Sequence, residues 1–291
     1  MAKPKDIELE EAGIVIPILY EDRSVLALDK PAGWMLAPDW WDRTARNLHL
    51  ALQSSLTAGD FWARSRNLKF LRYVHRLDAE TTGITLFAKS QGALRACSEM
   101  FEEHRVEKHY LAVVHGIPRE SAWKCIFPII PDPALKGRMK VLRGGGQGRA
   151  RSADAPEAKD AETRFRVLNT AKGRALIEAQ PITGRTHQIR VHLAAAGHAV
   201  LGDPLYGPDE AAASKGRQRL ALRAFRLAYR DPFTKRPVRI EAPVGEFLRE
   251  WGFAEKPAGE GAGDSQTRMV KGSPSPHPSP PGEGESSKAR R

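Results

Sequence analysis

Strand-like runs in this chain come in neighbouring pairs joined by short turns, and that pattern constrains the fold more than any other feature. Ile14 to Tyr20 and Ser24 to Asp29 flank the turn Glu21-Asp22-Arg23, and Glu162 to Leu168 and Arg174 to Ala179 flank Lys172-Gly173. Connections this short leave no room for a crossover, so each pair must run antiparallel. Helical spacing alternates irregularly with these hairpins. Leu48, Leu52 and Leu56 mark one face across Thr44 to Leu56, with Gly59 as a stop. Ser90 is suited to cap a second helix that buries Leu94, Cys97 and Phe101 and ends near His104. Thr186 to Ala196, stopped by Gly197, and a short segment near Glu246 to Trp251 read as two more helices, while Val106 to Val114, Leu220 to Tyr229 and Pro237 to Ala242 read as strands. A doubly wound sheet would need a Gly-rich strand-to-helix turn, which is missing. The expected class is therefore α+β, with a mixed, largely antiparallel sheet and flanking helices.

The formal net charge is +11. Residues 253–291 carry six basic against five acidic side chains and residues 1–12 two against four, so the excess belongs to the middle of the chain. A folded domain with such an excess suits a polyanion, because each neutralised phosphate releases condensed counterions. Between Phe61 and Leu77 no acid occurs, and Arg64, Arg66, Lys69, Arg72 and Arg76 are interleaved with Phe61, Trp62, Phe70 and Tyr73. Cations among aromatics are the chemistry of looped or single-stranded RNA. A second basic cluster, Lys136, Arg138, Lys140, Arg143, Arg149 and Arg151, straddles Gly144-Gly145-Gly146 and Gly148 and reads as an insertion. The two cysteines, Cys97 and Cys125, are too far apart in sequence for a metal or redox motif and fit packing roles in a reducing, cytoplasmic setting. Met1 to Ala12 is rich in charge and lacks an apolar run, so neither a signal peptide nor a membrane anchor is expected there.

The stretch His75-Arg76-Leu77-Asp78-Ala79-Glu80-Thr81-Thr82-Gly83 leads into the apolar run Ile84 to Lys89. A carboxylate after His-Arg, at the mouth of a turn feeding a strand, would sit at a strand end beside a cation that keeps it ionised and able to attack carbon. Asp78 reads equally as a residue that bonds its own turn. A second donor-rich block, Gly184-Arg185-Thr186-His187-Gln188-Ile189-Arg190-Val191-His192, is followed by Leu201-Gly202-Asp203.

Together these blocks, with Asp29-Lys30-Pro31-Ala32-Gly33 and Lys108-x-Tyr110-Leu111-Ala112, resemble the RluA-type RNA pseudouridine synthases in four places and in the right order. The resemblance implies a sheet cleft along its middle and the isomerisation of a uridine in ribosomal or transfer RNA to pseudouridine. Asp78 then matches the nucleophile, Arg190 its salt-bridge partner, and Tyr110 a tyrosine that packs beside the target base and relays a proton. Arg76 matches the arginine that fills the gap left by the extruded uridine. Arg185 and His187 are assigned to backbone contacts or loop shaping, and Arg72 and Lys108 to RNA binding. Neither a cofactor nor a metal is expected. His187 and His192 lack the spacing of two ligands on one helix turn.

The expected organisation is a tail over 1–12, a catalytic domain over 13–252 with a flexible basic insertion at about 143–160, and a disordered Pro/Gly/Ser-rich tail over 253–291. No segment ahead of Ile14 has room for the small S4 RNA-binding domain of many relatives. Trp34-Met35-Leu36-Ala37-Pro38-Asp39-Trp40-Trp41 is more aromatic than the family pattern. The expected partner is RNA, with no DNA or membrane, and the default state is a monomer. Two other readings are a non-catalytic RNA-binding protein on the same scaffold and a metal-dependent nuclease built on Asp78, Glu80 and Asp203. The latter needs converging carboxylates, whereas Asp203 before Pro204 is more simply a turn.

Overall fold

The computed structural model describes residues 2–36, 46–143, 157–208 and 219–253. Trp40, Trp41, the glycine run at 144–148, Arg149, Arg151 and the Pro-rich tail lie outside them. Among the described residues the backbone is organised by one mixed sheet. Its strands are β1 (Asp6–Leu9), β2 (Ile14–Glu21), β3 (Val25–Lys30), β4 (Arg72–Tyr73), β5 (Thr82–Ala88), β6 (Val106–His115) and β7 (Ala122–Cys125), followed after a separate small hairpin by β10 (Thr163–Ala171), β11 (Arg174–Pro181), β12 (Leu222–Arg230) and β13 (Pro237–Glu241). The small hairpin pairs β8 (Ile129–Pro131) with β9 (Met139–Val141). The main path runs β1-β2-β3-β5-β12-β6-β11-β10-β7, with β13 on β12 and β4 on β5. Every pairing is antiparallel except β5 with β12, in keeping with the α+β expectation.

Both expected hairpins form. Lys172 (φ 50°) and Gly173 (φ 73°) are left-handed at the tip of β10–β11, the twist a two-residue turn requires. The helices are α1 (Leu48–Ala58), the short α2 (Phe61–Arg64), α3 (Gln91–Glu102), α4 (Gln188–Ala195) and α5 (Gly245–Glu250). The Asn47 side chain accepts from the Leu50 N–H and Ser90 from the Ala93 N–H, so α1 and α3 each begin at a cap. In α3 Cys97 is buried as expected, but Ala93 and Met100 fill the places read for Leu94 and Phe101, which are only half-buried. Phe101 stacks instead on His75, with ring centroids 4.6 Å apart.

The centre of the sheet is a seam. The parallel contact between β5 and β12 covers only Thr82 with Arg223 and Gly83 with Ala224, and Ala224 in turn pairs with Tyr110 on β6. Gly83, Ala224 and Tyr110 therefore lie in one row across the sheet, a few residues past Asp78. Gly83 has φ +108°, and a Cβ there would lie 2.1 Å from the Ala224 carbonyl oxygen. Only glycine lets the strands approach this closely.

Residues 1–12 were expected as a tail, but they contain β1. Ile7 and Leu9 are buried and alternate with exposed Asp6 and Glu8, a strand pattern hidden among acids. Glu21 binds this end of the sheet to its neighbours by accepting from Lys3 Nζ (3.2 Å), Arg66 Nε (2.9 Å) and Lys89 Nζ (2.6 Å). Arg66 also donates to the Pro4 carbonyl, and Trp62 is buried with its N–H on Ser55. Two members of the cluster read as RNA-facing are thus internal braces, Arg66 held by Glu21 and Pro4 and Trp62 by Ser55 of α1. The insertion expected at 143–160 is likewise pinned at both ends. Arg143 donates to the Ala195 carbonyl, and Ile129 and Lys159 exchange backbone hydrogen bonds.

Two outcomes follow. Gly83→Ala should lower stability by roughly 3 kcal/mol or more in denaturant titrations, since both the clash and the positive φ resist a side chain. A melting curve matching the parent protein would contradict the seam. Burial works against the Glu21 charge, but Lys89 and Arg66 hold its carboxyl at about 2, below the ordinary 4.5. Its stabilisation is therefore present above pH 4.5 and disappears as pH falls towards 2. Glu21→Gln should cost on the order of 2 kcal/mol at pH 7 and flatten the acid limb of a stability–pH profile.

Candidate active site

The Asp78 turn is anchored from below by a lysine with no exposed surface. Lys30 Nζ donates to the carbonyls of Ala79 (2.7 Å), Trp34 (2.7 Å) and Pro31 (2.9 Å), and the Gly33 N–H adds a second bond to the Ala79 oxygen. Three donors on one ammonium meet three backbone acceptors. Burial holds the Lys30 pKa down at about 7 although Glu80 and Asp78 pull the other way. The other support is His75, whose Nε2 accepts the Leu86 N–H at 3.2 Å while its ring lies on Phe101. Burial, with Lys108 nearby, pushes His75 down to about 3, so it stays neutral and able to accept.

The second block is a loop pinned onto a short helix. Gln188 Oε1 accepts from the Thr183 hydroxyl and the Arg185 N–H, and its Nε2 donates to the Glu162 carbonyl and the Thr163 hydroxyl. His192 bonds Thr163 Oγ1 (2.9 Å) and the Phe127 carbonyl (3.0 Å) from inside the core. These bonds fix the start of α4, where His187 adopts a left-handed backbone at φ 55°. Arg190 then points across to the Asp78 turn.

Arg190 Nη1 donates to Asp78 Oδ2 at 2.9 Å, joining positions 112 residues apart. Its other edge makes a fork onto Asp203, with Nε to Oδ2 and Nη2 to Oδ1 both at 2.8 Å. Asp203 is buried and Asp78 keeps a quarter of its side chain open, at 25% exposure. Burial works against the Arg190 charge, but Asp203 and then Asp78 prevail and raise its pKa above the usual range. Asp203 also accepts from the N–H groups of Leu205 and Tyr206, so it is the turn residue the sequence suggests and a second carboxylate on Arg190 as well. Sequence reasoning saw only the first of these roles. Asp78 and Asp203 are bridged by a guanidinium, which is not the open carboxylate cluster a metal-dependent nuclease needs. Among the described residues no three His, Cys, Asp or Glu side chains are placed to share an ion.

Tyr110 lies on the row through Gly83. Burial first, and then the Asp78 charge, raises its pKa above the ordinary tyrosine value, so the hydroxyl stays protonated beside the carboxylate. His187 Nε2 is 4.0 Å from Asp78 Oδ2, and its Nδ1 meets the Tyr206 hydroxyl at 2.9 Å. The remaining residues expected to bind RNA divide by exposure. Arg76 and Arg72 are exposed, the latter with Nη1 2.9 Å from His49 Nε2, while Arg185 Nε donates to the Asp160 carbonyl. Lys108 is buried, and its Nζ donates to the Thr183 carbonyl at 3.3 Å. Burial and then Arg185 hold its pKa at about 8. It braces the loop that carries Arg185.

The chain is similar to proteins of one family. The profile of the family described as RNA pseudouridylate synthase matches residues 24–195. A ribosomal large subunit pseudouridine synthase C from Vibrio vulnificus (strain CMCP6) is 36% identical over 237 residues, 80% of this chain and 67% of its own. The protein of the same name from Escherichia coli (strain K12) is 36% identical over 243 residues, 82% and 69% of the two chains. This chain thus spans about two thirds of the length of these relatives. Among solved structures, human RNA pseudouridylate synthase domain containing 1 superposes with a TM-score of 0.59 at 28% identity, covering 78% of this chain and 83% of that one. Human RNA pseudouridylate synthase domain containing 4 does so with 0.62 at 23% identity, covering 80% and 90%, a likeness of fold alone.

The Lys30 anchor gives a direct test of how the Asp78 turn is held. Lys30→Met removes the ammonium from three carbonyls, of which that of Ala79 keeps a second donor in the Gly33 N–H, and should destabilise the protein by roughly 3 kcal/mol. A chemical denaturation midpoint equal to that of the parent would contradict this.

Proposed function

The chain belongs to the RNA pseudouridylate synthase family, and from that we propose that Asp78, Tyr110 and Arg190 carry the isomerisation of a uridine in ribosomal or transfer RNA to pseudouridine. The reaction breaks the N-glycosidic bond, turns the detached base, and joins its C5 to the ribose C1′. It needs a nucleophile, a held base and a site closed to water. One observation carries the reading: Arg190 bonds Asp78 through Oδ2, while Oδ1 makes no hydrogen bond among the described residues and the side chain opens outwards. A carboxylate fixed by one oxygen and free at the other is oriented to attack without losing its charge. Tyr110, kept protonated by burial and then by the Asp78 charge, supplies a wall for the base and a hydroxyl that can hold or pass a proton.

Access requires the uridine to leave its stack, at a cost of a few kcal/mol that contacts to the enzyme must offset. Arg76, exposed two residues before Asp78, would enter the gap, and Arg72 and Arg185 would hold phosphates. The names of the curated relatives favour a target in the large ribosomal subunit. We read the protein as a cytoplasmic monomer that acts on RNA and not on DNA. Among the described residues no helix is long and apolar enough to cross a membrane, and both cysteines are free and buried.

Asp78→Asn preserves the size of the side chain and removes its charge. It should reduce pseudouridine formation in unmodified ribosomal RNA by roughly 10³-fold or more, with RNA affinity within threefold of the parent. Conversion by the variant at the parental rate would overturn the assignment.

A further inference from the structure

Bidentate pairing is the preferred contact between a guanidinium and a carboxylate. If Asp78 were the only carboxylate at Arg190, the forked edge would close on both Asp78 oxygens and occupy the one that must react. The structure shows that edge taken by Asp203, through Nε to Oδ2 and Nη2 to Oδ1. Asp78 receives a single N–H from Nη1.

The plane of the guanidinium is set by a third group. Its Cζ lies 5.1 Å from the centre of the Tyr206 ring, on the face of the aromatic. Tyr206 is itself held at both ends. Its N–H donates to Asp203 Oδ1, and its hydroxyl accepts the Met139 N–H at 2.8 Å. The same hydroxyl meets His187 Nδ1 at 2.9 Å, and His187 Nε2 lies 4.0 Å from Asp78 Oδ2. Arg190 is thus restrained at its edge by Asp203, across its face by Tyr206 and at its end by Asp78. Met139 brings the β8–β9 hairpin into the arrangement.

We propose that Asp203 and Tyr206 are positioning residues for the isomerisation: together they lock the Arg190 guanidinium so that it binds one oxygen of Asp78 and leaves the other open to the nucleoside. This rests on the reading of Asp78 as nucleophile. Asp203 is 1% and Tyr206 8% exposed, so both act through Arg190. Their contribution is therefore to turnover and not to RNA binding.

The test uses the full chain and unmodified ribosomal RNA. Asp203→Asn keeps the side-chain shape and removes the charge that competes with Asp78 for Arg190. It should lower kcat about 30-fold, with KM and RNA affinity within threefold and melting still above the assay temperature. A kcat equal to the parent's would overturn the inference, as would a loss confined to KM. Should Asp203→Asn fail to fold, Tyr206→Phe decides, because it keeps the ring under Arg190 and loses only the hydroxyl bonds to Met139 and His187. It should lower kcat about tenfold without a matching change in KM, and unchanged kcat would overturn the inference. Activity in Asp78→Asn would refute the underlying reading. An inactive Asp78→Asn beside a fully active Asp203→Asn would refute the positioning role alone.

Discussion

One guanidinium between two carboxylates is the interaction on which the rest of this structure depends. Arg190 is buried, and a buried cation is tolerated only where its donors are met and its charge is balanced. Asp203 meets this requirement locally, thirteen residues downstream, and Asp78 meets it across the sheet. The local pair makes the arginine a fixed part of the fold before any chemistry is asked of it. The distant pair then uses one further N–H to orient a carboxylate that keeps a quarter of its side chain exposed.

Delivering Asp78 to that point takes support of a different kind. Its turn projects from the seam where two halves of the sheet meet in parallel over two residue pairs. So short a contact would be a weak joint, and the chain reinforces it with close packing and polar anchors. Gly83 permits the approach of Ala224, Lys30 gathers three carbonyls beneath the turn, and Asp29 on β3 forms a bidentate pair with Arg223 on β12. The result is a carboxylate just ahead of a turn before β5 whose backbone is held by polar anchors.

The positive charge of the chain has two separate uses. Arg66, Arg190 and Arg223 are engaged with Glu21, with Asp78 and Asp203, and with Asp29, so each contributes to holding elements together. Arg64, Lys69, Arg72 and Arg76 are exposed and precede the Asp78 turn, where a polyanion would approach. The density of cations between residues 61 and 77 therefore overstates the binding surface, because one of its arginines and its tryptophan face inwards.

What the sequence determined by itself is local. The hairpins around residues 21–23 and 172–173, the capped helix after Ser90 and the helical run stopped by Gly59 follow from periodicity and turn chemistry within a dozen residues, and Asp78, Tyr110 and Arg190 could be named from the resemblance of their motifs to a known family. The tertiary structure decided what each was for. β1 was hidden because a four-residue alternation among acids becomes a strand only when β2 lies beside it. Gly83 and Asp203 read as turn residues, and Lys30 only as part of a motif, because their partners, Ala224, Arg190 and Ala79, approach only after the sheet has closed. Lys108 and Arg66 read as surface cations because sequence shows charge and not burial. Periodicity is a property of adjacent residues, whereas the desolvation of a lysine or the division of one arginine between two carboxylates arises only when distant segments exclude water together.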